Sequence, residues 1–225
     1  MPVINPTLEF ETQLHTEGAR YVIGIDEVGR GAIAGPVGVG VCVVDSAVGE
    51  HPAGLRDSKM LSEKKREAIA PLAAQWASYS AVGLASALEV DEIGIIAALA
   101  LAGKRALAEV HTAGASILDS VIVLDGSHDW LSPALTTPLA VRTLVKADQS
   151  CASVAAASVL AKVHRDRIMI EADATHRGYG WAGNKGYGSP AHMAAIAELG
   201  PTVWHRRTWL KPAPLASSAI PAGFN

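Results

Sequence analysis

Three short runs in this chain end in acids, and that pattern limits the folds open to it. Tyr21-Val22-Ile23-Gly24-Ile25 leads into Asp26 and Glu27, and Ser120-Val121-Ile122-Val123-Leu124 leads into Asp125. A third run, Ala140 to Val145, leads into Lys146-Ala147-Asp148. Runs of this length bounded by turn residues read as strands. In open α/β sheets, ligands collect beyond the carboxyl ends of the central strands. If these strands are neighbours, four carboxylates converge. At about 4 Å and an effective dielectric near 20, each like-charge pair costs roughly 4 kcal/mol. Such a cluster must hold protons or bind cations. Oxygen donors favour hard ions such as Mg²⁺ or Mn²⁺ over zinc. Two such ions can activate water and steady a leaving oxygen in phosphodiester cleavage.

The rest of the chain supplies the scaffold. Met1 to Ala19, with Pro2 and Pro6, reads as a loosely packed lead-in. Pro36 to Val44 reads as a second strand in which Gly38 and Gly40 leave one face bare. Ser62 is placed to cap a helix running to about Trp76. Tyr79 to Ser86 alternates weakly and reads as a third strand, followed by one long helix from Val90 to Val110. Cys151 to Glu171 reads as a helix with Ala and Val at helical spacing, and Ser189-Pro190 starts a last helix. Early strands with short connections favour antiparallel pairing; later strands separated by helices favour parallel pairing. The expected fold is α/β, a mixed sheet flanked by helices. The expected divisions are a lead-in at 1–19, a catalytic domain at 20–211 and a flexible tail at 212–225.

Of the 225 residues, 49% are hydrophobic and 18% charged, which points to a globular chain with a sizeable core. The apolar run Ile93 to Ala102 is too short for a bilayer and is bracketed by charges. No basic start followed by an apolar stretch marks a signal peptide. Cys42 and Cys151 lie far apart and suggest no disulfide framework, so a reducing cytoplasm is expected. The net charge of −3 counts mildly against a nucleic-acid binder, but Lys162 to Arg167 and His205 to Lys211 are locally basic.

Plainer readings stand beside the metal site. Successive side chains on a strand face opposite ways, so Asp26 and Glu27 can share a site only if the chain bends, which Gly29 permits. Otherwise Glu27 is solvated or pairs with Arg30. Asp125-Gly126 alone is commonly a turn, and Asp148 alone is a candidate N-cap for a helix at Gln149. Gly29-Arg30-Gly31-Ala32-Ile33-Ala34-Gly35 has one residue too many for a dinucleotide fingerprint. Gly183-Asn184-Lys185-Gly186 lacks the ending of a phosphate loop.

Gly24-Ile25-Asp26-Glu27-Val28-Gly29-Arg30-Gly31-Ala32-Ile33-Ala34-Gly35-Pro36-Val37 resembles the signature of bacterial type 2 ribonuclease H, ribonuclease HII. Further matches follow in the expected order. They are Asp57-Ser58-Lys59, Leu124-Asp125-Gly126, Lys146-Ala147-Asp148, the helix from Ser153 to Val163, and Asn184-Lys185-Gly186-Tyr187-Gly188-Ser189-Pro190-Ala191-His192. Val28 stands where the family usually has alanine, Ala147 where it has glycine, and Ser189 where threonine is commoner. The resemblance covers about residues 20 to 210. It implies a ribonuclease H-like five-stranded mixed sheet with a C-terminal helical extension. It also implies a monomeric endonuclease cutting RNA paired to DNA, including 5′ to single ribonucleotides embedded in duplex DNA. Asp26, Glu27, Asp125 and Asp148 take the positions of catalytic metal ligands for two Mg²⁺ or Mn²⁺ ions.

The 2′-hydroxyl is the group that separates RNA from DNA. Backbone groups of Gly29, Arg30 and Gly31 are placed to read it, because glycine allows close approach. By resemblance, Tyr187 stacks next to the junction. Lys59, Lys162 and Lys185, with Arg165 as a further candidate, are placed to hold phosphates. Ser158 and His192 shape the site. The tryptophans read as packing. The alternatives are another ribonuclease H-like nuclease, such as a junction resolvase or exonuclease, and a metal-stabilised binding module that does not cut.

Overall fold

A computed structural model describes residues 5–210; the expected tail at 212–225 lies outside the described residues. In chain order the elements are α1 (Glu9–Thr16), β1 (Tyr21–Val28), β2 (Val37–Asp45), α2 (Glu63–Trp76), β3 (Tyr79–Ala85), α3 (Ala87–Ile93) and α4 (Ile95–Thr112). They continue with β4 (Ser120–Asp125), β5 (Ala140–Leu144), α5 (Ala147–Ser150), α6 (Ala152–Thr175), α7 (Trp181–Asn184) and α8 (Pro190–Leu199). The five strands form one sheet in the order β3-β2-β1-β4-β5. β1, β2 and β3 pair antiparallel, while β4 runs parallel to β1 and β5 parallel to β4. Only β1 and β2 are joined by a short turn; the antiparallel pair β2 and β3 is linked through α2, and the parallel pair β4 and β5 through a stretch with no α-helix, so connection type does not follow the expected division.

Side-chain alternation along β1 and β2 divides the core. Ile23, Ile25, Val39, Val41 and Val43 pack on one face with Ala98, Ala102 and Ala106 of α4. Val22, Cys42 and Val44 pack on the other with Val154, Ala155 and Ala157 of α6 and with Ile69 and Ala73 of α2. Gly24 and Gly40 bring α6 unusually close to this second face. A Cβ at Gly24 would lie 2.3 Å from the Ser153 carbonyl carbon, and one at Gly40 would lie 2.2 Å from the Ala157 oxygen. Among the described residues no helix is long and apolar enough to cross a membrane.

Three expectations need correction. Residues 9–16 of the expected loose lead-in form a helix, with Leu14 buried. Glu11 of that helix is also buried and accepts hydrogen bonds from the Ser153 amide and hydroxyl, at 2.8 and 2.7 Å. It therefore caps α6 from outside, because that helix has no side-chain cap of its own. The long helix from Val90 is two helices. Gly94, at φ 78°, ends α3 and starts α4. Asp148 does not end a strand: β5 stops at Leu144, and Asp148 lies in the single turn of α5.

The α6 contact gives a direct test. Gly24→Ala forces a methyl group against helix backbone and should cost about 1–3 kcal/mol, lowering the melting temperature by several degrees. Gly49→Ala, at a position with nothing within 4 Å, is the control and should melt like the parent. Equal melting of all three proteins would contradict the close packing.

Candidate active site

Pairing of β1 with β4 ends at Ile25 opposite Leu124, so Asp26 and Asp125 are the next residues of two adjacent parallel strands. Such strands lie about 4.8 Å apart. Each acid is two residues beyond one that points toward α6, so both emerge on that side. Asp26, Glu27, Val28, the Gly29-Arg30-Gly31 turn, Ser58, Lys59, Asp125, Ser158, Lys162 and Tyr187 line one cleft of about 210 Å³.

Asp26 is only 3% exposed. Its Oδ1 accepts the Glu27 amide at 2.8 Å. Burial pushes its pKa up to about 8. Ser158 and Lys59 hold it down, while Glu27 and Asp125 push it further up. Asp148 is also buried, and burial, with repulsion from Asp125 and Asp57, raises its pKa to about 6. The Lys59 ammonium sits among these groups, 3.3 Å from Asp148 Oδ2 and 3.9 Å from Asp57 Oδ1. Burial works against its charge, but Asp26, Asp148 and Asp57 together raise its pKa.

The four acids do not form a finished cage. Among the described residues no three His, Cys, Asp or Glu side chains meet closely enough to enclose an ion. Asp26, Glu27 and Asp125 share the cleft, whereas Asp148 is joined to it through Lys59. Asp125 Oδ1 accepts the Ala147 amide at 2.7 Å and so caps α5. Glu27 lies 3.5 Å from Arg30, the pairing that stands as the alternative to a shared site. β1 also continues through Val28 before turning at Gly29, φ 75°. The donor set still suits a hard cation. It consists of oxygens, and burial, with a smaller push from neighbouring acids, raises the pKa of Asp26 and Asp148, so both carboxylates would be stabilised in their charged form by a bound cation.

The expected phosphate contacts divide. Lys59 and Lys162 line the cleft, and Lys162 Nζ lies 2.7 Å from Asp166. Lys185 does not line it. Its ammonium bonds the Ala182 carbonyl and lies 3.5 Å from Glu63. Arg165 is fully buried, with Nε, Nη1 and Nη2 on the Pro36, Lys185 and Ala34 carbonyls, and does not line the cleft where a phosphate would lie. Ser158 donates to Ser58 at 2.8 Å and steadies Asp26. Tyr187 is 39% exposed at the cleft, with the Arg165 guanidinium 5.6 Å from its ring centre.

His192 holds the Tyr187 loop through a chain with fixed proton positions. Trp181 Nε1–H can only donate, so His192 Nε2 accepts it at 2.9 Å. His192 Nδ1 therefore carries the proton and donates to the Tyr187 carbonyl at 2.9 Å. His205 Nδ1 accepts the Thr202 amide at 2.9 Å, which leaves its Nε2–H facing His192 at 3.2 Å. Trp181, fully buried, is the centre of this cluster, as its reading as a packing residue implies.

Sequence reasoning missed two groups. Asp57 is buried, caps its own turn by accepting the Lys59 amide at 2.9 Å, and adds charge near Asp148. Arg206 is buried against the carbonyls of the Gly29 turn. The basic run at His205 to Lys211 is its only signal.

This mixed sheet, with acids beyond its central strands and helices on both faces, defines a ribonuclease H-like fold. Solved structures agree. That of ribonuclease H2 from Pyrococcus horikoshii OT3 superposes with a TM-score of 0.60 at 25% identity, covering 84% of this chain and 93% of that one. Bst-RNase HIII in complex with Mn²⁺ shares the fold, with a TM-score of 0.64 at 24% identity over 87% of this chain and 68% of that one. The family model described as Ribonuclease HII matches residues 23–211. Ribonuclease HII of Streptomyces avermitilis is 46% identical over 210 residues, spanning 93% of this chain and 85% of that protein. A ribonuclease HII of Thermus thermophilus is 44% identical over 199 residues, spanning 88% and 89%. The chain belongs to the ribonuclease HII family. It is a metal-dependent endoribonuclease that acts on RNA/DNA hybrids.

The histidine chain predicts an acid-sensitive scaffold. Burial lowers the pKa of both rings, that of His205 to about 4. Folding therefore favours the neutral forms, and the unfolded chain takes up protons first as pH falls below about 6.5. That stability is complete above about pH 6.5 and is lost toward about pH 4. Melting curves should fall more steeply over this window in the parent than in His205→Gln. Parallel profiles would contradict the assignment.

Proposed function

We propose that the cleft hydrolyses the phosphodiester on the 5′ side of a ribonucleotide, in RNA/DNA hybrids and at single ribonucleotides embedded in duplex DNA. The products would carry 5′-phosphate and 3′-hydroxyl ends, and the protein would work as a monomer in ribonucleotide excision. The observation that carries this reading is the side-by-side exit of Asp26 and Asp125 into one cleft with the Gly29 turn.

Asp26, Glu27, Asp125 and Asp148 would hold two Mg²⁺ or Mn²⁺ ions. Such ions supply an activated water and neutralise charge on the phosphate and leaving oxygen. Glu27 would exchange its partner Arg30, and Asp148 its partner Lys59, on loading. Lys59, freed in this way, and Lys162 would then face the substrate's phosphates. Ser158 would keep Asp26 oriented. Lys185 would serve by fixing the loop before Tyr187 rather than by touching a phosphate.

Recognition would fall to the turn and to Tyr187. A Cβ at Gly31 would meet nothing within 4 Å, so folding alone does not require glycine there. A bare Cα facing the cleft suits the close approach of a sugar. Tyr187 offers a partly exposed ring to the nucleotide beside the junction.

Two variants test the assignment. Asp26→Asn should fold normally and lose about a hundred- to a thousandfold or more in incision of a duplex bearing one ribonucleotide, by analogy with other loss of charge-stabilising groups. Full activity in that variant would refute the role given to Asp26. Tyr187→Ala should lower incision at a lone ribonucleotide more than incision of a uniform hybrid. Equal losses on the two substrates would remove the junction-sensing role.

A further inference from the structure

Arg206 lies after α8, outside the sequence motifs described above, yet it reaches back to the turn that follows β1. It is fully buried. Nη2 donates to the Gly29 carbonyl at 2.8 Å and to the Gly35 carbonyl at 3.2 Å. Nη1 donates to the Arg30 carbonyl at 3.0 Å, and Nε reaches the Gly35 carbonyl at 3.3 Å. The Trp209 ring covers it, with the guanidinium 5.0 Å from the ring centre. Among the described residues no carboxylate pairs with it. Burial, aided by the nearby charge of Arg165, lowers its pKa to about 10, which still leaves it charged at neutral pH. A charged side chain buried without a carboxylate and given wholly to carbonyls is costly. Such a cost suggests a task beyond filling space.

Peptide geometry shows what the clamp does. In a planar trans peptide the C=O and the following N–H point in opposite directions. Gly29 O and Arg30 O are drawn inward to Arg206, so the amides of Arg30 and Gly31 turn outward. Neither amide donates to any described group of the chain. Residues 29, 30 and 31 all line the cleft. Two successive outward amides in a turn form a concavity that receives an electronegative atom. Arg165 closes the same turn from the other side through Ala34 and Pro36, and leaves no room for a side chain at Gly29.

We propose that Arg206 is a positioning residue for substrate selection, which aims the Arg30 and Gly31 amides at the 2′-oxygen of the ribonucleotide at the cut. The inference rests on the reading of the cleft as a ribonucleotide site. It assigns the selectivity of the turn to a guanidinium about 176 residues away in sequence, as well as to the glycines.

The test compares two constants in the whole enzyme. One is KM for a duplex bearing one ribonucleotide. The other is Ki for the same duplex made wholly of DNA, used as a competitor. The parent should show KM well below Ki. In Arg206→Gln the ratio of Ki to KM should fall at least about fivefold, the size expected for losing an aimed hydrogen bond, with Ki little changed. Arg206→Lys keeps the charge and offers three donors, without the planar fork, and should restore part of the ratio. A scaffold role alone would move kcat or both constants together. The inference is overturned if folded Arg206→Gln and Arg206→Lys both keep the parental ratio. It is equally overturned if neither variant folds, which would make Arg206 a scaffold residue only. A parent enzyme with KM equal to Ki would instead overturn the ribonucleotide reading of the cleft.

Discussion

Asp26 is held where water scarcely reaches it, at the end of the central strand, with Asp125 beside it and Asp148 nearby. Charge of that kind needs an answer, and the protein alone supplies only part of one. Lys59 is shared among three acids, amides cap two carboxylates, and burial raises the pKa of Asp26 to about 8. The rest of the fold serves to keep the acids there. β1 is flanked by β2 and β4, and α6 presses on it through Gly24, so the acid end of the strand cannot retreat toward solvent.

A second layer of charge, of opposite sign, underlies the turn that follows. Arg165 and Arg206 are both buried and both bind carbonyls rather than carboxylates. They join β1, α6 and the segment after α8 into one rigid wall. The Tyr187 loop is tied to that wall by Arg165 at the Lys185 carbonyl and by the Gly186 carbonyl, which accepts the amides of Ile33 and Ala34. Acids and the proposed recognition groups thus share a frame.

Much of this is legible in sequence because the signals are local. Alternation and length mark the strands, and acids at their ends mark the mouth of the sheet. Ser62 announces its helix as a cap and Pro190 marks the first position of another, and in the structure Ser62 and Ser189 cap them. What escapes depends on distant partners. Residues 9–16 look polar, and only the Ser153 amide and hydroxyl at the start of α6, distant in sequence, give buried Glu11 its hydrogen-bond partners. Arg206 reads as a surface base until carbonyls from residues 29 to 35 surround it. Asp148 reads as a strand end because Lys146, at φ 59°, interrupts the run without a glycine to signal the turn. Lys185 is similar: its ammonium, which the motif alone would send to a phosphate, is held by the Ala182 carbonyl and by Glu63, far off in sequence. Gly94 is hidden as a break because apolar residues continue on both sides of it.

The central claim is that the charge around Asp26 calls for divalent cations. Counting bound Mn²⁺ by electron paramagnetic resonance tests it without any turnover. The account predicts saturable binding in the parent protein, strongly weakened in both Asp26→Asn and Asp125→Asn, with Mg²⁺ competing for the same sites. Mn²⁺ binding that is unchanged in both variants, or absent from the folded parent in the presence of its hybrid substrate, would contradict it.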